Sequence, residues 1–269
     1  MNLKSRYNCI KISRALQDSL LCILVIACLS GCTRKPLHIA PELSERARDL
    51  CLHVVSSDGV TSTATLLNKN IAITTQHAIE WSGEQTKLSS YFRGGIFTPT
   101  ILAIGPPLHF RALYDDVYSD QKTIYENTEN DWAILELPPT DRFKYRNKPS
   151  RPAKIGQASA GDIIFIGGIV VPDSIDYTKP IPGTPEEVWK DAFRLSQGKI
   201  TSINGVVLTF QHIAGDEIIG GMSGGPIMKL SSDGSDLILV GIMVATHTKT
   251  LIFKNQLGRV IPDLQDILD

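Results

Sequence analysis

A serine flanked by glycines is the strongest chemical signal in this sequence. Ser223 lies in the string Gly-Gly-Met-Ser-Gly-Gly-Pro, residues 220–226, directly before an apolar pair. A nucleophilic serine that a substrate carbonyl must approach needs neighbours without side chains. It also needs a turn whose N–H groups point at the negative oxygen that develops during the reaction. The string favours such a nucleophile, although a glycine-rich hairpin turn with an incidental serine would look the same.

Two other segments contain the groups that a nucleophilic serine requires, a general base and a residue that orients the base. His77 follows the apolar stretch 71–73, and the end of a strand there could aim its imidazole. Asp131 lies at the entrance of the apolar stretch 132–137. Taken alone, a histidine after a strand is usually structural, and an aspartate before a strand is usually a turn residue. Their order in the chain, His77, Asp131 and then Ser223, favours the catalytic interpretation.

These segments resemble three motifs of the chymotrypsin-like serine proteases. Residues 220–226 resemble the GxSGGP motif, residues 71–79 the segment around TAAHC, and residues 131–135 the DIALL segment. The chain order differs from that of the subtilisins and the α/β-hydrolases. The resemblance covers about residues 51–269. It implies two antiparallel β-barrels of about six strands each, with His77 and Asp131 in the first and Ser223 in the second.

The resemblance also implies a role for each residue. Ser223 Oγ would attack a peptide carbonyl, His77 would remove its proton and later protonate the leaving amine, and Asp131 would fix the tautomer of His77. The backbone N–H groups of Gly221 and Ser223 would hold the oxyanion. This mechanism needs no cofactor. The sequence contains no CxxC or HExxH motif, so no metal site is predicted.

The sequence departs from the family pattern at two positions. Ala78 follows the histidine where the family motif has cysteine, which agrees with a disulfide-free protein. Met222 precedes the serine. Family members that mature by cleavage have an aspartate there, which pairs with a new N-terminal ammonium, and methionine cannot form that ion pair. Activation by a free amino terminus is therefore not expected.

The sequence gives the least information about substrate specificity. Glu217, six residues before Ser223, falls where the resemblance places the base of the specificity pocket, and a carboxylate there would favour a basic substrate side chain. A solvated turn residue is the alternative. Residues 241–247 resemble the strand that pairs with substrate backbone, which makes Val244, Thr246 and His247 candidate substrate contacts.

Composition and apolar patterning predict an all-β protein. The 269 residues are 42% apolar and 20% charged, and the net charge of −1 gives no general attraction to nucleic acid. No helical pattern alternates with the strand-like runs, which excludes a doubly wound parallel sheet. We predict a short helix from Pro41 to about Leu50, another over 261–268, and surface loops over 106–130 and 172–192. The predicted strands are 51–56, 60–67, 71–75, 97–104, 132–137, 162–170, 193–203, 205–213, 226–230, 237–245 and 248–254.

The first 31 residues are typical of a bacterial lipoprotein signal peptide. Four basic residues precede the apolar run 20–29, which is about half the length that a membrane-spanning helix needs. The run ends in Leu-Ser-Gly-Cys, which resembles a lipobox with Cys32 as the lipidated residue; an ordinary secretory signal is the alternative. Processing would leave Cys51, in an apolar stretch, as the only cysteine after the lipidated one, and we interpret it as a buried residue rather than a nucleophile.

These observations predict a signal peptide over 1–31, a lipidated tether over 32–41 and a protease domain over 42–269. The predicted function is that of a lipid-anchored serine endopeptidase in the bacterial cell envelope, on the periplasmic face or at the outer membrane. Its partners would be a protein or peptide substrate and the membrane, with no nucleic acid. A catalytically idle protease-fold lipoprotein that acts as a binding module, and a serine esterase, remain as alternatives.

Overall fold

Short strands account for most of the secondary structure in the computed structural model, which describes residues 37, 39–55, 61–80, 87–90, 95–106, 129–138, 154–170, 192–246 and 252–256. All of these belong to one unit, Leu37–Asp269. The helices are α1 (Pro41–Asp49) and α2 (Gln76–Glu80). The strands are β1 (Cys51–Val55), β2 (Thr61–Leu66), β3 (Ile71–Thr74), β4 (Lys87–Ser90), β5 (Gly95–Phe97), β6 (Thr100–Ile104), β7 (Ala133–Glu136), β8 (Lys154–Ile155), β9 (Ile163–Ile169), β10 (Phe193–Asn204), β11 (Val207–Gly215), β12 (Pro226–Leu230), β13 (Leu237–Thr246) and β14 (Ile252–Gln256). No described helix combines the length and the apolar character needed to cross a membrane.

The first sheet is antiparallel and has the strand order β5-β4-β1-β2-β3-β7-β6. Its two edge strands, β5 and β6, are separated in sequence only by Thr98 and Pro99. Three Cα–Cα steps span at most about 11 Å, so the two edges of the sheet must lie close together. The sheet therefore curls into a barrel, and Thr98 and Pro99 connect its two edge strands.

The second sheet closes on itself. Its order is β12-β9-β10-β11-β14-β13-β8, and an additional pairing joins β12 to β13. Six strands thus form an antiparallel ring. The seventh, β8, adds to the outside of the ring by pairing with β13 in parallel.

The all-β fold of two antiparallel six-stranded barrels is confirmed, with differences of detail. The predicted strand 97–104 is divided into β5 and β6, because Pro99 has no N–H group with which to continue the ladder. Strands β4 and β8 were not predicted. The predicted N-terminal helix is present as α1, with Pro41 in its first turn. The predicted C-terminal helix, and nearly all of the two predicted long loops, lie outside the described residues.

Within the described residues, three apolar clusters form the core. One belongs to the first sheet, and it includes Leu52, Leu66 and Leu135. The second fills the second barrel around Ile164, Ile166 and Phe210. The third joins the two sheets, and α1 packs on it through Ala47. Because this third cluster contains residues of both sheets, it fixes the position of one barrel relative to the other.

Candidate functional site

His77 lies in the single turn of helix α2, just after strand β3. All four residues of β3 are buried, and the two residues after it, Thr75 and Gln76, are buried as well. β3 pairs with β2 on one side and β7 on the other, so its end is firmly positioned. The side chain of His77 keeps 13% of its surface exposed. The chain thus presents this imidazole from a rigid strand end, as a general base requires.

Asp131 lies two residues before strand β7 and is fully buried. The backbone around it is held by hydrogen bonds from Gly105 N to Trp132 O at 2.9 Å and from Trp132 N to Asn130 O at 3.0 Å. A side chain at Gly105 would overlap the carbonyl of Asn130, so the close approach of these two segments requires glycine there. Since β7 pairs with β3, the carboxylate lies beside the residues that follow β3.

The carboxylate of Asp131 binds His77 at two points. Asp131 Oδ2 lies 2.6 Å from His77 Nδ1, and Oδ1 accepts a hydrogen bond of 2.9 Å from the backbone N–H of His77. A carboxylate can only accept, so Nδ1 carries the proton and Nε2 of the neutral ring is left as an acceptor. The double contact fixes both the tautomer and the orientation of the ring, which is what an orienting aspartate does for a catalytic base.

The pKa of His77 is raised above its ordinary value. Burial acts in the opposite direction, but the negative charge of Asp131 and the hydrogen bond to it outweigh burial. An imidazole in this environment readily accepts a proton and is stabilised once it has become imidazolium. These are the properties of a base that takes a proton from a hydroxyl and later returns it.

Ser223 lies in the loop between β11 and β12, and several interactions shape this loop. Met222 is fully buried in the core of the second barrel. Gly224 has a φ of +81°, and a side chain on it would overlap the carbonyl of Thr63 and the hydroxyl of Thr74. A side chain on Gly225 would overlap the carbonyl of Gly167. The glycines after the serine are therefore required by close packing against both barrels.

Hydrogen bonds join the serine loop to the first barrel near His77. Thr63 N donates to Ser223 O at 2.8 Å, and the hydroxyls of Thr63 and Thr65 donate to Gly221 O and Gly224 O, both at 2.8 Å. The hydroxyl of Thr74 donates to Thr63 O at 2.8 Å. Thr74 is the last residue of β3, so the strand that presents His77 also contacts the segment that holds the serine loop. The serine loop is thus attached to the first barrel beside the end of the strand that presents His77.

The hydroxyl of Ser223 donates to the carbonyl of Val244 at 3.3 Å. Among the described residues, it makes no hydrogen bond to His77, and the N–H groups of Gly221 and Ser223 donate to no backbone acceptor. Hydrogen bonds between catalytic groups are often long or absent until substrate binds. Two amides that have no acceptor within the described part of the chain are suitable donors to an oxyanion.

The remaining predicted site residues are placed as follows. Glu217 is exposed in the segment between β11 and the serine loop. Val244 is buried in β13, where its carbonyl accepts the serine hydroxyl. Thr246 is the last residue of β13, and both His247 and Cys32 lie outside the described residues. Neighbouring Asp216 is engaged in the fold, since its carboxylate accepts a 2.9 Å hydrogen bond from Leu195 N.

Cys51 is 1% exposed and unpaired, which confirms its interpretation as a buried residue. Burial, with a smaller contribution from the Asp49 carboxylate, raises the pKa of its thiol and suppresses the nucleophilic thiolate.

Sequence reasoning missed Thr63, Thr65 and Thr74. Threonines at alternating positions of the buried strand β2 were the available signal, because a buried hydroxyl requires a hydrogen-bond partner.

The fold is similar to that of several solved proteases. No protein-family model and no curated protein matches this chain. An inactive form of Rv3671c from M. tuberculosis H37Rv, a serine-to-alanine mutant, has a TM-score of 0.51 at 14% identity over 87% of this chain and 97% of that one. The inactive form of the Rv3671c protease gives 0.50 at 14% identity, over 87% and 98%. The scabies mite inactivated protease paralogue S-I1 gives 0.53 at 16% identity, over 87% and 99%. At these identities the likeness concerns the fold alone, and the chain has the β-barrel fold of the chymotrypsin-like proteases.

Proposed function

We propose that this protein is a serine endopeptidase that cleaves peptide bonds through His77, Asp131 and Ser223. The observation that carries the proposal is the double hydrogen bond between Asp131 and His77, at 2.6 and 2.9 Å, beside the glycine-rich loop of Ser223. A buried carboxylate that fixes one histidine tautomer is a specific arrangement, and a scaffold without chemistry has no need for it.

The mechanism follows from these groups. The Ser223 hydroxyl rotates away from the carbonyl of Val244, and His77 Nε2 accepts its proton as Oγ attacks the substrate carbonyl. The oxyanion that forms is held by the N–H groups of Gly221 and Ser223. The imidazolium of His77, stabilised by Asp131, then protonates the leaving amine. Water attacks the acyl-enzyme with His77 again acting as base, which restores the free serine.

We further propose that the protein is held at a membrane of the bacterial cell envelope by lipid on Cys32. The support is sequence alone, a basic and then apolar leader that ends in the Leu-Ser-Gly-Cys string. One acyl chain anchors a protein only marginally, whereas several anchor it stably. The variant Cys32→Ala should therefore leave the membrane fraction while the wild type stays in it. Equal fractionation of the two would contradict the lipidation.

The binding-module alternative has one observation in its favour, the hydrogen bond of the Ser223 hydroxyl to Val244 O instead of His77. A fluorophosphonate probe separates the two functions, because it labels a serine only when the base activates it. We expect the full chain, purified in detergent, to be labelled, and Ser223→Ala and His77→Ala to be unlabelled. Absence of labelling in the wild type would favour the binding module.

Hydrolysis of casein and of a peptide library tests the endopeptidase activity directly. Ser223→Ala and His77→Ala should lose several orders of magnitude in rate. His212→Ala is the matched histidine control, since His212 is exposed on β11, and it should keep wild-type activity. Proteolysis that survives in the Ser223 or His77 variant would contradict the triad. Hydrolysis of esters but not of peptides would identify an esterase instead.

Glu217 stays a prediction about specificity. Its exposed position leaves the carboxylate accessible to a basic substrate side chain. If it has this role, Glu217→Gln should raise KM for peptides with lysine or arginine before the scissile bond and leave other peptides unaffected. An equal effect on both sets of peptides would assign Glu217 to the solvated turn.

A further inference from the structure

The serine loop contains two consecutive hydrogen-bonded turns. The first turn is closed by Met222 N, which donates to Ile219 O at 3.4 Å. The second turn is closed by Gly225 N, which donates to Met222 O at 2.9 Å. Met222 O and Ser223 N belong to the same peptide group, so the second bond also holds the Ser223 N–H, one of the two proposed oxyanion donors.

The first turn is of type II. Its third residue, Gly221, has a φ of +91°, whereas its second residue, Gly220, lies outside the left-handed region. Among types I, II, I′ and II′, only type II has a positive φ at the third residue alone. A type I turn joins the same end residues with a negative φ at that position. The two types differ by rotation of the central peptide, by about 150° in ψ of the second residue and about 170° in φ of the third.

The central peptide of the first turn lies between Gly220 and Gly221 and carries the Gly221 N–H, the other proposed donor. A side chain on Gly220 would meet open space, and one on Gly221 would meet only ordinary contacts of 3.5 Å or more. Within the part of the chain that the structure describes, no backbone group bonds to Gly220 O or to Gly221 N. Neither close packing nor a backbone hydrogen bond therefore opposes rotation of this peptide.

The chain on both sides of this peptide is held in place. Before the turn, Ile218 packs against the core of the second barrel. After it, Gly221 O belongs to the next peptide and accepts a 2.8 Å hydrogen bond from the Thr63 hydroxyl. Met222, the last residue of the turn, is fully buried in the second barrel. Rotation is thus confined to the Gly220–Gly221 peptide and leaves the rest of the loop where it is.

The corresponding peptide of the second turn, between Ser223 and Gly224, is locked. Ser223 O accepts a 2.8 Å hydrogen bond from Thr63 N, and Gly224 N donates to Met243 O at 2.6 Å. A side chain on Gly224 would overlap the carbonyl of Thr63. The third residues of the two turns have similar φ values, +91° and +81°, so the difference between the turns lies in the contacts of their central peptides.

We propose that the Gly220–Gly221 peptide is a two-position switch in the oxyanion site; this inference rests on the proposed hydrolytic function. In the type II position the Gly221 N–H faces the oxyanion. In the type I position the peptide has turned over, so that the Gly220 carbonyl faces this place and repels negative charge. A substrate oxygen that becomes negative interacts favourably only with the type II position, and it therefore selects the active form.

Substitutions at Gly221 test the switch, because they change the cost of the left-handed conformation. Alanine disfavours this conformation by a factor of about 5–30, and asparagine adopts it more readily. We expect Gly221→Ala to lower kcat by about 5–30-fold and Gly221→Asn to lower it less. Gly234→Ala is the matched control. Gly234 also has a left-handed φ, +70°, and open space around it, but it lies in the turn between β12 and β13, and kcat should stay within about 2-fold of wild type.

Rates should be measured on the full chain in detergent and expressed per active site, titrated with a fluorophosphonate, so that unfolded protein does not count. An interaction made only with the oxyanion changes kcat and leaves KM unchanged. We expect this pattern in both Gly221 variants, with an unchanged midpoint in the pH profile because His77 and Asp131 are not altered. Equal losses in Gly221→Ala and Gly221→Asn, or a change in KM without one in kcat, would overturn the proposal.

A crystal structure of the Gly221→Ala variant separates this proposal from the function on which it rests. It should show a negative φ at residue 221 and a reversed Gly220 carbonyl, with Ile219 and Met222 in place, whether or not the protein hydrolyses anything. A positive φ at residue 221 would refute the switch. A wild type without hydrolysis or labelling would refute the proposed function, and the structure of the variant would still decide whether the turn has two positions.

Discussion

The buried histidine of strand β1 should make the protein sensitive to mild acid. His53 is fully buried, and it is paired across the sheet with Thr63 of β2 and Ser89 of β4. Burial lowers its pKa from 6.5 to about 4. A histidine with a lowered pKa stays neutral in the folded protein while the unfolded chain takes up a proton. The free energy of unfolding therefore falls as the pH drops below 6.5, and the loss is complete below the folded pKa of about 4.

The size of the effect follows from the two pKa values. At about pH 5 the unfolded histidine is almost fully protonated and the folded one is about a tenth protonated, which corresponds to a loss of about 2 kcal/mol. At about pH 4 the loss is about 3 kcal/mol, and it changes little below that pH. These are large fractions of the 5–15 kcal/mol, in order of magnitude, that stabilise a typical domain.

His77 contributes with the opposite sign. Its pKa is raised in the folded protein, so its contribution to stability is present below the ordinary pKa and is lost as the pH rises through the raised value. A comparison of variants separates the two histidines. His53→Gln has no titrating group at that position, so its unfolding free energy should lack the drop of about 2 kcal/mol between about pH 7 and pH 5, whatever its absolute stability.

Urea unfolding of the full chain in detergent, at a series of pH values, measures these curves. His212→Gln, at an exposed position of β11, is the control for replacing a histidine that is not buried. Parallel curves for wild type and His53→Gln would refute the reasoning that burial keeps His53 neutral. The result also bears on activity assays, since a loss of rate near pH 5 must be divided between protonation of His77 and unfolding.

Three further predictions concern the site. Asp131→Asn should lower kcat by about 10⁴-fold and move the acid limb of the residual kcat/KM profile to lower pH, because the charge that raises the His77 pKa is gone; an unmoved limb would contradict that cause. Gly224→Ala should destabilise the fold by about 3 kcal/mol or more in urea unfolding, against about 1 kcal/mol for Gly234→Ala, which has a similar φ but open space around it. Met222→Asp should cost about 3 kcal/mol or more at neutral pH, and its deficit relative to wild type should shrink in acid as the buried carboxyl is protonated. Met222→Leu should cost less than about 1.5 kcal/mol, and equal stabilities of the two variants would show that the loop does not depend on this burial.

Sequence patterns predicted the strands that consist mainly of buried apolar residues. β3, β7 and β9 consist mainly of buried residues, and their periodicity or continuity is visible in the chain. β4 and β8 have no such pattern. They are strands because β1 and β13 offer them a free edge, and that pairing depends on residues far away in sequence.

The candidate site was predictable where its chemistry requires particular residue types. A nucleophile between glycines, a histidine after a strand and an aspartate before one can each be recognised locally. The contacts of Thr63 cannot, because its partners Ile169 and Gly221 lie 106 and 158 residues further along the chain. Only the packing of the two barrels brings them together, and no local pattern encodes it.

The serine loop has attachments to both barrels. In the second barrel the side chain of Met222 is buried in the core, and after the serine Gly224 N donates to Met243 O while Gly225 O accepts from Met243 N. Its anchors on the first barrel are polar, the hydrogen bonds from Thr63 and Thr65. Apolar burial keeps the loop packed against the barrel but does not set the direction of any peptide group. Hydrogen bonds orient the carbonyls to which they are made. The orientation of the Gly221 and Gly224 carbonyls therefore depends on how the barrels are docked. A substitution that shifts the barrels without unfolding either one should disturb the serine loop before it disturbs the contact between His77 and Asp131, since that pair lies within the first barrel.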